Sequence, residues 1–264
     1  MLIMPTIDDP LLLRQDDARG VVTLRLNRPQ AFNSLSEGLL DALQTELDAL
    51  ADDPALRVLV ITGQGRAFCA GHDLKEMRAE PSAAYYQRLF AQCTQVMLSL
   101  QKLPLPVIAK VQGIATAAGC QLVAMCDLAV AASTARFAVS GVNLGLFCST
   151  PGVALSRNLS RKAAFEMLVT GDFIDAAQAA EQGLINRVAV PDEVDAVVEA
   201  LVAAIVGKPR VAVAMGKALF YRQLEVGIEA AYADAGQTMA CNMMDASALE
   251  GVQAFIDKRV PGWK

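Results

Sequence analysis

The stretch "GIATAAGCQLVAMCD", residues 113–127, decides the fold. Glycine and small residues give way to an apolar run with helical spacing. One long polar side chain, Gln121, sits about a turn into it. Small side chains let another molecule approach the backbone closely. Amides at a helix start are unpaired donors at the positive end of the helix dipole. Such a turn can hold an oxygen that carries negative charge, and Gln121 would stand beside it.

An upstream stretch repeats the plan. In "VLVITGQGRAFCAGHDLKEM", residues 58–77, a strand-like run enters Gly63-Gln64-Gly65. A small turn follows at Ala70-Gly71-His72, then a helix start with Asp73 and Lys75. Two such turns side by side would aim two N–H groups at one oxygen. That is an oxyanion hole, in which one donor is worth about 3–4 kcal/mol of transition-state stabilisation. A dinucleotide site does not fit, because Phe68 stands where G-x-G-x-x-G needs its third glycine, and no Walker motif occurs.

The rest of the chain extends this alternation. "LLLRQ" and "VVTLRL" read as a strand pair across the turn-like "DDARG". In "SLSEGLLDALQTELDAL", Ser34 and Glu37 have capping-box spacing, and Leu39, Leu40, Leu43, Leu47 and Leu50 form a helical stripe. "PVIAKVQG" and "CDLAVAAS" read as further strands, with a helix near 82–103. Strands alternating with helices predict an α/β architecture. From about residue 151 the pattern is helical apart from a short strand at "INRVAV". We read a β/α core over 1–200 and a helical subdomain over 201–264.

Composition narrows the function. The 264 residues are 54% hydrophobic and 19% charged, with a net charge of −5. That suits a globular chain with a large aliphatic core. Without a Lys/Arg block, neither nucleic acid nor an anionic membrane is an expected partner. The six cysteines include no C-x-x-C, which predicts reduced, buried thiols in a cytoplasmic protein. One histidine, His72, is too few for a structural zinc site. "MLIMPTIDDP" does not read as a signal or transit peptide.

Together these stretches resemble the crotonase, or enoyl-CoA hydratase/isomerase, superfamily over nearly the whole chain. "LNRPQAFNSLS", "FCAGHDLKEM", "VQGIATAAGCQLVAMCDLAVA", "GLFCSTPGVALSRNL" and "TGDFIDAAQAAEQGLINRVA" carry the likeness in order. "ATAAGCQL" and "GVNLGLFCSTPGVAL" are similar to the enoyl-CoA hydratase domain-containing protein 3 group. The resemblance implies a spiral of ββα units, with a C-terminal helical region that builds homotrimers, often paired into hexamers. It implies a CoA thioester of fatty-acid metabolism as ligand, with coenzyme A entering as part of the substrate and no permanently bound cofactor.

Site residues carry over by position. The thioester carbonyl would sit between the backbone N–H groups of His72 and Ala118. His72, Asp73, Leu74, Lys75 and Ala118 would line the substrate site. Arg28, Ala31, Ala67 and Ala70 would line the CoA pocket, and Lys258 and Trp263 would reach a neighbouring subunit's CoA. The departure lies in the two glutamates with which the family's hydratases handle water. Their positions are occupied here by Gln121 and Gly141. Glutamine takes no proton from water at neutral pH, and glycine has no side chain. General acid–base help is worth ~10²–10⁴-fold, so efficient hydration is not expected. The open alternatives are lyase or isomerase chemistry on a thioester enolate, decarboxylation of the methylmalonyl-CoA type suggested by "AGHD", or non-catalytic acyl-CoA binding. Asn143, Cys148 and Ser149 fall where some relatives place catalytic side chains, but loop packing is the plainer role for each. Tyr85 and Tyr86 are read as core packing.

Overall fold

The computed structural model describes residues 10–263, so the N-terminal stretch read for targeting signals lies outside the described residues. The chain opens with an antiparallel pair, β1 (Leu12–Asp16) and β2 (Val21–Leu26). Helix α1 (Glu37–Ala51) then buries the five leucines expected of it. Fully burying one such side chain is worth about 1.5–3 kcal/mol. The cap differs from the expected one. Ser36, not Ser34, accepts from the Leu39 N–H (3.2 Å), while the Ser34 hydroxyl is engaged by the Arg28 guanidinium (3.1 Å).

Three turns of chain then repeat one plan. The first is β3 (Val58–Gly63), β4 (Ala67–Cys69), α2 (Leu74–Ala79) and α3 (Ala83–Lys102). The second is β5 (Val107–Val111), β6 (Ile114–Thr116) and α4 (Ala118–Met125); the third is β7 (Leu128–Ala132), β8 (Arg136–Ala138) and α5 (Ser149–Asn158). The long strands lie side by side and parallel in one sheet, and the short ones do the same in a second. This is the spiral of ββα units. Next come α6 (Arg161–Thr170), β9 (Ile174–Asp175), α7 (Ala176–Glu181) and β10 (Arg187–Ala189). The six-stranded sheet reads β1-β2-β3-β5-β7-β10 and the four-stranded one β4-β6-β8-β9. Every residue of β3 is buried, as a parallel strand covered on both faces requires.

Residue 200 falls inside α8 (Val194–Val206), whose Val194, Val198 and Val202 are buried in the core. The last region is α9 (Arg210–Gln223), α10 (Ile228–Met243) and α11 (Ala246–Ile256). A buried charge holds α9 to the core. Lys217 Nζ meets Asp127 Oδ2 at 2.7 Å and donates to the carbonyls of Leu100 and Leu105, while the Tyr221 hydroxyl donates to Asp127 Oδ1 (2.7 Å). Much apolar surface on this region stays exposed, including Ile228, Tyr232, Met244, Phe255 and Val260. All six cysteines are free, and five are buried; Cys241, on α10, is exposed, unlike the buried thiol expected there. Among the described residues no helix is long and apolar enough to cross a membrane, and no cluster of His, Cys, Asp or Glu could hold a metal.

Candidate active site

The segment "LNRPQAFNSLS" folds back over the first turn and fixes it. Asn33, fully buried at φ 55°, donates from Nδ2 to the carbonyls of Gln64 (2.9 Å) and Ala67 (2.8 Å). Arg28 pairs with Asp73 Oδ2 at 2.8 Å, and Asp73 Oδ1 caps α2 by accepting from the Lys75 N–H (3.0 Å). Burial alone would raise the Asp73 carboxyl. Arg28 and the α2 amides hold it below its ordinary value instead. The Leu35 N–H donates to Gly71 O (2.8 Å), and the Asp73 N–H donates to Leu35 O (3.0 Å). His72 is thus bracketed in a parallel bridge, and its own N–H faces away from Leu35.

The second turn lies directly against the first. The Thr116 hydroxyl donates to Ala70 O at 3.0 Å. A Cβ on Gly71, which sits at φ 90°, would be 2.9 Å from Ala117 Cβ and 3.3 Å from Ala118 N. Only glycine allows both that backbone conformation and that approach. A Cβ on Gly119 would meet Cys69 O at 2.1 Å, so the first turn of α4 rests on the backbone of β4. Ala117 precedes α4 at φ 49°, ψ −120°, a conformation that costs a non-glycine residue of order 1–3 kcal/mol. Its N–H donates to Ala138 O (2.9 Å). Among the described residues, the N–H groups of His72 and Ala118 have no acceptor. Two unpaired amides from adjacent turns are therefore brought together.

Both residues line a cavity of about 280 Å³. Ala70, Leu74, Met77 and Phe90 close it on the side of the first turn. Gly141, Leu144, Leu146, Phe147 and Cys148 close it on the other. No carboxylate is among the lining residues. The His72 ring packs edge-on to Phe90, 5.5 Å between centroids, and neither ring nitrogen has a hydrogen-bond partner. Desolvation pushes its pKa down to about 4. The imidazole is neutral at pH 7. Burial likewise raises the Cys148 thiol above its ordinary value, so it is no ready thiolate.

The two glutamate positions fare differently. Gln121 is buried, its Oε1 lacks a hydrogen-bond partner, and it is not part of the cavity wall. Gly141 is on the wall, but the space beyond its Cα is occupied. A Cβ there would lie 2.5 Å from Leu146 O and 2.7 Å from Cys148 Sγ.

Of the other expected site residues, Ala70, His72, Leu74 and Ala118 meet at the cavity; Asp73 and Lys75 do not reach it. Arg28 is committed to Asp73 and Ser34, Ala31 sits in the turn above, and Ala67 is buried. Trp263 packs on Gly251 and donates to Gly207 O (3.3 Å) within its own chain, and Lys258 ends α11 at φ 55°. Ser149 lines the cavity, whereas Asn143 donates to Gly171 O (3.4 Å). Tyr86 donates to Met77 O (3.0 Å), bracing α2. Sequence reading missed Met77, Phe90, Leu144, Leu146 and Phe147. The run "LGLF" on a surface loop was the one available signal for the last three.

The sequence profile of the family described as "Enoyl-CoA hydratase/isomerase" matches residues 16–264. The chain belongs to that family. A Xenopus laevis family member, "Enoyl-CoA hydratase domain-containing protein 3, mitochondrial", is 44% identical over 96% of this chain and 86% of its own length. A crystal structure of an enoyl-CoA hydratase from Mycobacterium smegmatis is 69% identical with a TM-score of 0.96, covering 97% of this chain and 99% of that one. The human domain-containing protein 3 structure is 42% identical with a TM-score of 0.92, covering 96% and 100%. These structures share the spiral fold. The curated relatives also correct the cytoplasmic expectation. The frog protein and its counterparts from rat, mouse, human and zebrafish are all named mitochondrial. Reduced cysteines, on which that expectation rested, do not separate one reducing compartment from another.

Proposed function

We propose that this family member binds an acyl-CoA or enoyl-CoA thioester and stabilises its enolate, with the carbonyl oxygen held by the backbone N–H groups of His72 and Ala118. The observation that carries the reading is the pair of acceptor-free amides from two interlocked turns at one apolar cavity. Donors fixed in place before the oxygen arrives need no reorganisation as charge develops. Coenzyme A enters with the substrate. The protein acts as a homotrimer or dimer of trimers, a reading supported by the exposed apolar residues of α10 and α11.

Relatives carry hydratase in their names, yet this cavity has no carboxylate to activate water. The reaction is therefore lyase or isomerase chemistry other than efficient hydration, using the oxyanion hole without a strong base. The absence of any lining carboxylate, together with a His72 ring that is neutral and unpartnered, favours one second reading: an acyl-CoA binder that performs no chemistry. Calorimetry with acyl-CoAs and a crotonyl-CoA hydration assay test both. Binding tighter than that of free CoA, with hydration near background, is the expected outcome. Turnover at ordinary hydratase rates would overturn the account of the missing glutamates, and a lack of any preference for thioesters would overturn the oxyanion hole.

A further inference from the structure

The wall opposite the two amides has one part that is fixed and one that borders solvent. Leu144, Leu146 and Phe147 line the cavity but stay 70%, 48% and 47% exposed, which places them at its mouth. Cys148 lines the same cavity and is only 6% exposed. Its backbone is pinned, since its carbonyl accepts from the Gly152 N–H (2.9 Å) at the start of α5. The preceding loop is closed by the Leu146 N–H on Gly141 O (3.0 Å) and the Gly145 N–H on Val142 O (3.0 Å). The thiol fills the space that a side chain at Gly141 would need.

We propose that Cys148 is the specificity-determining residue that limits the acyl group to a short, apolar chain. The inference rests on the acyl-CoA reading above and names the substrate class of that site. Three features argue for it. The cavity is small, about 280 Å³, at the low end of the ~300–1,000 Å³ of ligand pockets. The wall contains no charged side chain, its one histidine, His72, being neutral, so a polar acyl terminus would lose its hydration without a charged partner. Finally, the Cys148 side chain is a small neutral surface on a fixed backbone, so its size sets how far the chain can extend between α5 and Gly141.

The test is calorimetry on the whole protein with free CoA and saturated acyl-CoAs from acetyl to decanoyl, for the wild type and for Cys148→Ala, Cys148→Ser and Cys148→Leu. The wild type binds butyryl- and hexanoyl-CoA best. Cys148→Ala shifts the optimum to longer chains and raises octanoyl-CoA affinity relative to butyryl-CoA by about fourfold, the value of one extra buried methylene. Cys148→Leu shifts the optimum to shorter chains, and near-isosteric Cys148→Ser leaves the order unchanged. Free CoA affinity is the same in all four, a readout that general damage to the fold would move. Should the leucine variant fail to fold, the alanine shift decides alone. One length profile shared by the wild type and Cys148→Ala overturns the role of Cys148 and leaves the acyl-CoA reading standing. Acyl-CoAs that bind the wild type no better than free CoA overturn that reading and this inference together.

Discussion

The cavity has two walls built on opposite principles. On the donor wall, where Ala70, His72 and Leu74 meet Thr116, Ala117 and Ala118, the backbone presents function and side chains shrink to allow it. Asn33, Arg28, Thr116 and the Leu35 bridge all serve to hold two amides in place. On the facing wall, from Ser140 to Pro151, side chains and one carbonyl fill the space beside Gly141, one of the two positions at which the resemblance places a hydratase glutamate. On the proposed reading, binding and proton transfer are separable properties of one pocket. A chain would keep the geometry of the first while the volume of the second is taken up by packing.

The contrast breaks most readily at Gly71. Gly71→Ala puts a methyl group 2.9 Å from Ala117 Cβ and 3.3 Å from the Ala118 amide, on a backbone at φ 90°. Acyl-CoA affinity should fall by about thirtyfold, as expected when two neutral hydrogen bonds of about 1 kcal/mol each are lost. Calorimetry with butyryl-CoA measures this, and circular dichroism verifies that the fold persists. An affinity within threefold of the wild type would show that these turns do not hold the ligand.

A second test asks whether the facing wall can be converted. Gly141→Glu must displace Leu146 O and Cys148 Sγ, and overpacking of this kind costs about 1–3 kcal/mol. Paired with Gln121→Glu, it should lower the denaturation midpoint and leave crotonyl-CoA hydration near background. Hydration that rises to ordinary hydratase rates would mean that residue identity, not filled space, separates the two walls.

A third test concerns His72, the single histidine of the chain. Its imidazole should titrate at about 4 by NMR, against ~6.5 for an exposed histidine. Because the folded pKa lies below the unfolded one, its contribution to stability is fully present above about pH 6.5. That contribution fades as pH falls toward about 4, by at most ~2–3 kcal/mol. His72→Phe should flatten that part of the acid-denaturation profile. A resonance titrating near 6.5 would place the ring in water and the donor wall open to solvent.

The donor wall was legible in the sequence because its signals are local. Glycine and alanine before a helical run, and the spacing of Gly71 and His72 before Asp73, report on backbone that lies within a few residues. The facing wall was not. That Cys148 fills the space at Gly141 depends on a loop closing over seven residues, and no pattern announces it. The strands β4, β6 and β8, three residues each, are too short to show a period of two, so only the resemblance suggested a second sheet. Two-residue β9 left no signal at all. The Ser34 hydroxyl, the expected helix cap, is engaged instead by Arg28, which is bound in turn to Asp73, 45 residues further on.

Ala117 has a consequence for how a ligand arrives. Its strained backbone belongs to the folded protein whether or not the cavity is full. The direction of the Ala118 amide is therefore settled during folding rather than at encounter. On the proposed reading, a thioester would meet an amide already aimed at this turn, with no free energy lost to ordering it.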